Sequence, residues 1–143
     1  MSTSTTDTNL PLNTIQVPHL NGTTVSYLVA NGPITSSKPT LVFINGYMGS
    51  AHRFFAQIHD PQLTEVATLL AVEPLGHGGT STTTPAYTLW DAAWAISQAL
   101  DALNVKKYVV CGTSSGGFIA ARLALYAPEN VSRSTAQRKR NTD

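Results

Sequence analysis

The stretch YVVCGTSSGGFIAARLALYA, residues 108–127, constrains the fold of this chain more than any other. Tyr108, Val109, Val110 and Cys111 form a continuous apolar run rich in β-branched and aromatic residues, the pattern of a strand buried on both faces. From Phe118 to Leu125 the apolar residues suit a helix, which Pro128 closes. Only Gly112-Thr113-Ser114-Ser115-Gly116 lies between. A strand that becomes a helix in so few residues forces its middle residue into a strained conformation, so glycines two before and two after it, Gly112 and Gly116, are needed to avoid clashes. Ser114 is then held at the tip, above the carboxyl end of a strand and beside a helix N-terminus. There the amide of Ser115 can donate to a developing oxyanion. An ordinary Gly/Ser-rich loop could carry the same five residues, so the context decides.

Upstream, residues 39–44 form a second buried-strand candidate that runs into Asn45-Gly46-Tyr47-Met48-Gly49-Ser50. A third, residues 67–73, ends at Pro74-Leu75-Gly76-His77-Gly78-Gly79-Thr80-Ser81. Helix-type segments at about 51–60 and 88–103 alternate with these strands, which predicts right-handed βαβ crossovers, a parallel sheet and an α/β fold class. Thr88 followed three residues later by Asp91 predicts a helix cap. Trp90 and Trp94 fall four apart on a neighbouring face, where packing is the commoner role. A QVPHL segment from Gln16, then residues 23–30 around an Asn21-Gly22 turn signal, predict an antiparallel hairpin, and residues 31–38 read as a polar loop.

Three ordered motifs now resemble those of the α/β-hydrolase superfamily. GTSSGG is similar to its G-x-S-x-G-G, NGYMGS to its H-G-x-x-G loop after the third strand, and EPLGHGGTS to its D-x-x-G-x-G-x-S segment after the fourth. They span residues 40–131. The resemblance implies a partial α/β-hydrolase fold: an N-terminal antiparallel hairpin, then parallel βαβ units carrying the nucleophile elbow. It implies Ser114 as the nucleophile of an acyl-enzyme reaction on an ester-like or related carbonyl, with the backbone amides of Tyr47 and Ser115 as oxyanion hole. Gly46 would permit the close approach of that loop. Asn45 stands where the family more often has His, and Glu73 where it more often has Asp. Family members with Asp at the elbow tip, the epoxide hydrolases and haloalkane dehalogenases, perform a different chemistry.

A serine hydroxyl needs a base, and the family order is nucleophile, acid, histidine. All four histidines, His19, His52, His59 and His77, precede Ser114, and the only carboxylates after it are Glu129 and Asp143. His77 falls where the family often carries a non-catalytic His, His52 is a candidate for the pocket wall, and His19 and His59 read as surface positions. Beyond Arg133 the sequence STAQRKRNTD encodes no apolar strand and, with Arg133, holds four of the nine basic residues. We therefore expect a disordered polar arm over 1–15, a partial α/β-hydrolase domain over 16–132 and a basic, disordered tail over 133–143. The chain reads as truncated, without the triad acid and His, so that residues 108–111 would form an exposed sheet edge. Two functions follow: a serine hydrolase, or a non-catalytic fragment that is unstable or binds a partner.

Composition excludes other classes. A formal net charge of +1 with 12% charged residues lacks the basic surplus of a nucleic-acid binder. The single Cys111 cannot form an internal disulfide and reads as core. The first residues show no secretory signal and no stretch reads as a membrane span, so a cytoplasmic location is expected. GHGGTS lacks the final small residue of a dinucleotide fingerprint, and no Gly-Lys pair supports a P-loop. The expectation is a small, largely apolar substrate, with no cofactor and no metal.

Overall fold

The apolar runs become the middle of one mixed sheet. In a computed structural model of the chain, the structure describes residues 11–30, 33–34 and 37–137. Strands β1 (Asn13–Val17) and β2 (Thr23–Val29) form the antiparallel hairpin, followed by β3 (Thr40–Ile44). A 3-10 turn at Ala51–Phe54 leads into helices α1 (Phe55–Ile58) and α2 (Pro61–Val66). Then come β4 (Thr68–Val72), a two-residue β5 (Ser81–Thr82), α3 (Leu89–Ala102), β6 (Tyr108–Thr113), α4 (Ser115–Tyr126) and β7 (Val131–Gln137). The sheet order is β1-β2-β4-β3-β6-β7, with β5 paired to β2. From β4 through β7 the strands are parallel. This is the α/β architecture expected from the alternation of elements.

Side chains along β3 alternate between two cores. Val42 and Ile44 join Leu70, Val72 and Val110 beneath α3 and α4, which contribute Ile96, Leu100, Ile119 and Leu123. Phe43 faces the other way with Leu28, Phe54, Ile58 and Leu69, its ring stacked on Phe54 at 4.9 Å. Strands with both faces covered need unbroken apolar runs, and β4 is buried at all five positions. The expected cap at Thr88 is a reciprocal box: the Asp91 amide donates to Thr88 Oγ1 (3.3 Å) and the Thr88 amide to Asp91 Oδ2 (2.7 Å).

Three boundaries differ from the sequence reading. The strand at the hairpin start begins at Asn13, inside the segment expected to be a disordered arm to residue 15, because its backbone pairs with Tyr27 on β2. The segment at 51–60 is a 3-10 turn and a short helix, and a further helix, α2, follows. The Asp60 side chain accepts from the Gln62 amide (2.8 Å) with Pro61 at the first helical position, which starts a new helix there. Most consequential is β7, which occupies 131–137 where a disordered tail was expected from 133. It pairs in parallel with β6, so residues 108–111 are not a sheet edge. Its described side chains from Ser132 to Thr135 are exposed, so no apolar run was there to announce it. The RKR run, residues 1–10 of the expected arm and residues 31, 32, 35 and 36 of the polar loop read over 31–38 lie outside the described residues.

Candidate active site

Ser114 sits between β6 and α4 with φ 52° and ψ −121°, away from the left-handed well near ψ of about +30 to +60°. Its carbonyl accepts from the Gly117 amide (2.9 Å), which starts α4 one residue later, and its side chain is exposed. Contact geometry explains the flanking glycines. A Cβ on Gly112 would overlap the Gly116 carbonyl, and one on Gly116 would overlap the Ile44 carbonyl and stand 2.7 Å from that of Asn45. The strand, the helix and the neighbouring β3 thus meet backbone to backbone at the elbow.

The loop after β3 is pressed onto the same point. A Cβ at Gly46 would lie 2.8 Å from the Thr113 carbonyl and 3.0 Å from Ser114 Cβ, so Gly46 and the elbow are in direct apposition. Gly112, Thr113 and Ser114 line a cleft of about 920 Å³ together with Gly46, Tyr47, Met48, Phe43, Phe54, Cys111 and Arg53, among others. Arg53 is the one charged side chain among its described lining residues. Tyr47 projects at 77% exposure, whereas Asn45 is fully buried and its Nδ2 donates to the Gly46 carbonyl (3.1 Å). The amide at the family's His position therefore does make a hydrogen bond within the loop. Its Oδ1 is buried without a partner among the described residues.

What holds this loop is the side chain of Glu73, whose part in it the sequence analysis did not assign. Glu73 is fully buried at the end of β4, and its carboxylate accepts from Ser26 Oγ (2.7 Å), the Gly79 amide (3.1 Å) and the Ala51 amide (3.0 Å). Thr80 Oγ1 completes the network by donating to the Glu73 carbonyl (2.7 Å) and accepting from the Ser26 amide (2.9 Å). One side chain thereby fastens the segment after β3, the loop after β4 and strand β2. A carboxylate closing an otherwise apolar strand was the available signal, because burial of such a group requires several donors.

The histidines separate by environment. His77 Nδ1 lies 3.0 Å from the Leu75 carbonyl, and the Met48 amide donates to its Nε2 (3.2 Å). His59 is exposed and its Nδ1 meets the Phe55 carbonyl (2.8 Å). His52 does not line the cleft, contrary to expectation, and its Nε2 is buried without a partner among the described residues. His19, read as a surface position, is instead largely buried, with its side chain 15% exposed: Nε2 meets Asp91 Oδ1 at 2.9 Å and the ring stacks on Trp94 at 5.3 Å. The Asp91 carboxyl is held below its ordinary range, first by the Thr88 amide and hydroxyl and to a smaller extent by His19. Trp94 also packs against Tyr126 (5.2 Å), and the Arg122 guanidinium lies 5.3 Å over Trp90, so both tryptophans serve packing at the α3–α4 surface. Among the described residues, no hydrogen bond joins a histidine to Ser114.

A model of the alpha/beta hydrolase fold family matches residues 39–138. A 1-acylglycerol-3-phosphate O-acyltransferase of Arabidopsis thaliana is 36% identical over 100 residues, covering 65% of this chain and 23% of its own length. The dihydrolipoyllysine-residue acetyltransferase component of an acetoin cleaving system from Cupriavidus necator is 33% identical over 92 residues, covering 64% of this chain and 24% of its own. The crystal structure of a hydrolase from Pseudomonas aeruginosa superposes with a TM-score of 0.74 at 30% identity, covering 85% of this chain and 43% of that one. The chain thus spans about a quarter of the length of these curated relatives. No helix among the described residues is long and apolar enough to cross a membrane.

Proposed function

The chain belongs to the alpha/beta hydrolase fold family, and from that membership we propose that it carries the nucleophile and oxyanion half of a serine hydrolase acting on ester-like carbonyls. One observation carries this reading: Ser114 is held at φ 52° and ψ −121° with Gly46 of the preceding loop packed against it. Ser114 Oγ attacks the carbonyl carbon while its proton passes to a general base. The carbonyl π electrons move onto oxygen, and the resulting oxyanion is held by the amides of Ser115 and Tyr47, the first of them at the N-terminus of α4. Collapse expels the alcohol, which takes the proton back, and water releases the acid by the same route. Phe43, Phe54 and Cys111 along the cleft favour a largely apolar acyl group. The names of the Arabidopsis and Cupriavidus relatives both denote acyl-transfer proteins, in keeping with this chemistry.

His77, His19 and His59 are each engaged elsewhere, and His52 stands outside the cleft lining. This observation favours a second reading, in which the folded chain holds the elbow without acylating it. A fluorophosphonate probe with mass analysis of the modified peptide separates the two. Modification at Ser114, abolished in Ser114→Ala, supports the hydrolase; a folded chain that stays unmodified after prolonged exposure rejects activity in this chain and leaves the second reading.

A further inference from the structure

We propose that His77 is a positioning residue for the oxyanion loop, holding the Tyr47–Met48 peptide through a neutral imidazole whose proton sits on Nδ1. The partners define this state. A carbonyl can only accept, so the 3.0 Å contact with Leu75 places the proton on Nδ1; an amide can only donate, so the 3.2 Å contact with Met48 requires a lone pair on Nε2. The opposite tautomer would set two lone pairs together at Leu75 and two hydrogens together at Met48.

The loop has need of such a tie. Met48 adopts φ 60°, which a residue with a Cβ disfavours, and its side chain is 83% exposed, so packing does little to keep it there. The Gly49 amide closes the turn onto the Gly46 carbonyl (3.0 Å), and Glu73 holds the Ala51 amide beyond it. Asn45 Nδ2 ties the Gly46 carbonyl (3.1 Å), and His77 adds a restraint at the peptide immediately following Tyr47. Its ring also meets the Tyr47 ring edge-on at 6.0 Å between centroids. The loop after β4 thereby sets the orientation of the loop after β3. This inference rests on the reading of the Tyr47 amide as an oxyanion donor, although the His77–Met48 bond itself does not.

The test uses the full 143-residue chain, labelled with nitrogen-15 and studied by NMR in mildly alkaline buffer. A protonated Nδ1 and a bare Nε2 for His77 are expected, with a through-bond coupling from Nε2 to the Met48 amide; a protonated Nε2 overturns the proposal without need of any variant. Two substitutions then separate positioning from packing. His77→Gln keeps an acceptor near the Nε2 position, whereas His77→Asn keeps a donor near Nδ1 and loses that acceptor. Gln is expected to retain the Met48 amide resonance and the rate of fluorophosphonate modification at Ser114. Asn is expected to shift the amide and slow modification about fivefold, the equivalent of one neutral hydrogen bond. Equal behaviour of the two variants overturns the proposal. Should the wild-type chain not react, the hydrolase reading fails by itself, while the tautomer and the Met48 resonance still decide the role of His77.

Discussion

Replacing Ser114 by glycine is expected to stabilise the chain, and the comparison with alanine shows why. A residue with a Cβ at φ 52° and ψ −121° carries about 1–3 kcal/mol of backbone strain. The side chain returns nothing to offset it, since Ser114 is exposed and makes no side-chain hydrogen bond to the helix N-terminus. Ser114→Ala keeps the Cβ and hence the strain, so its stability should stay within about 0.5 kcal/mol of wild type. Ser114→Gly removes the strain but adds unfolded-state freedom worth about 0.4–1 kcal/mol. Taking about 2 kcal/mol for the first and about 0.7 for the second leaves glycine more stable than alanine by about 1.3 kcal/mol. With a urea m-value near 2 kcal/mol/M, the midpoint should rise by about 0.6 M at unchanged m. Both variants should lose fluorophosphonate reactivity. A glycine variant no more stable than the alanine variant would show that the elbow stores no strain at Ser114, and the argument from its dihedral angles to a selected nucleophile would fall.

Gly116→Ala is expected to act in the opposite direction. Its Cβ would overlap the Ile44 carbonyl and stand 2.7 Å from the Asn45 carbonyl, both of them backbone, so β3 and α4 must separate at a cost of about 1–3 kcal/mol, measurable by the same urea titration. Tyr108 gives an alkaline signature: burial, with lesser contributions from Asp101 and Glu129, pushes its phenol up from 10.0 to about 12. A raised folded-state value means that its contribution to stability is complete below 10.0 and is lost as pH climbs towards about 12. In an ultraviolet titration, one of the five tyrosines should therefore ionise late and together with unfolding, and Tyr108→Phe should remove that late phase.

Much of the fold was legible because its signals are local. The runs at β3, β4 and β6, the Asn21-Gly22 turn and the Thr88–Asp91 box each reside within a few adjacent residues, and each forms where expected. The elbow was legible for the same reason, since Gly112 and Gly116 answer a steric demand made by their own segment and by β3. The missed features depend on distant partners. Strand β7 has a polar sequence and exists by pairing with β6; Ser26 and Glu73 meet across 47 residues, and His19 and Asp91 across 72. Helix α2 was missed by a narrower margin, because Asp60-Pro61 reads equally as a stop and as a start.

The same division runs through the candidate chemistry. Everything read for the oxyanion hole is backbone: the amides of Tyr47 and Ser115, and the glycines that let β3, β6 and α4 approach. Such features leave a sequence trace because few residues other than glycine tolerate the geometry. A general base is a side chain delivered from elsewhere in the fold, and nothing in the local sequence of an elbow records its origin. His77 illustrates the point, since it is bonded to Met48 of the cleft lining and yet both its ring nitrogens are already engaged, with Leu75 and Met48. To act as a base it would have to release Met48, loosening the loop on which the Tyr47 amide depends. The two roles are therefore mutually exclusive for this residue, and reactivity at Ser114 that persists in His77→Gln would locate the base at some other side chain.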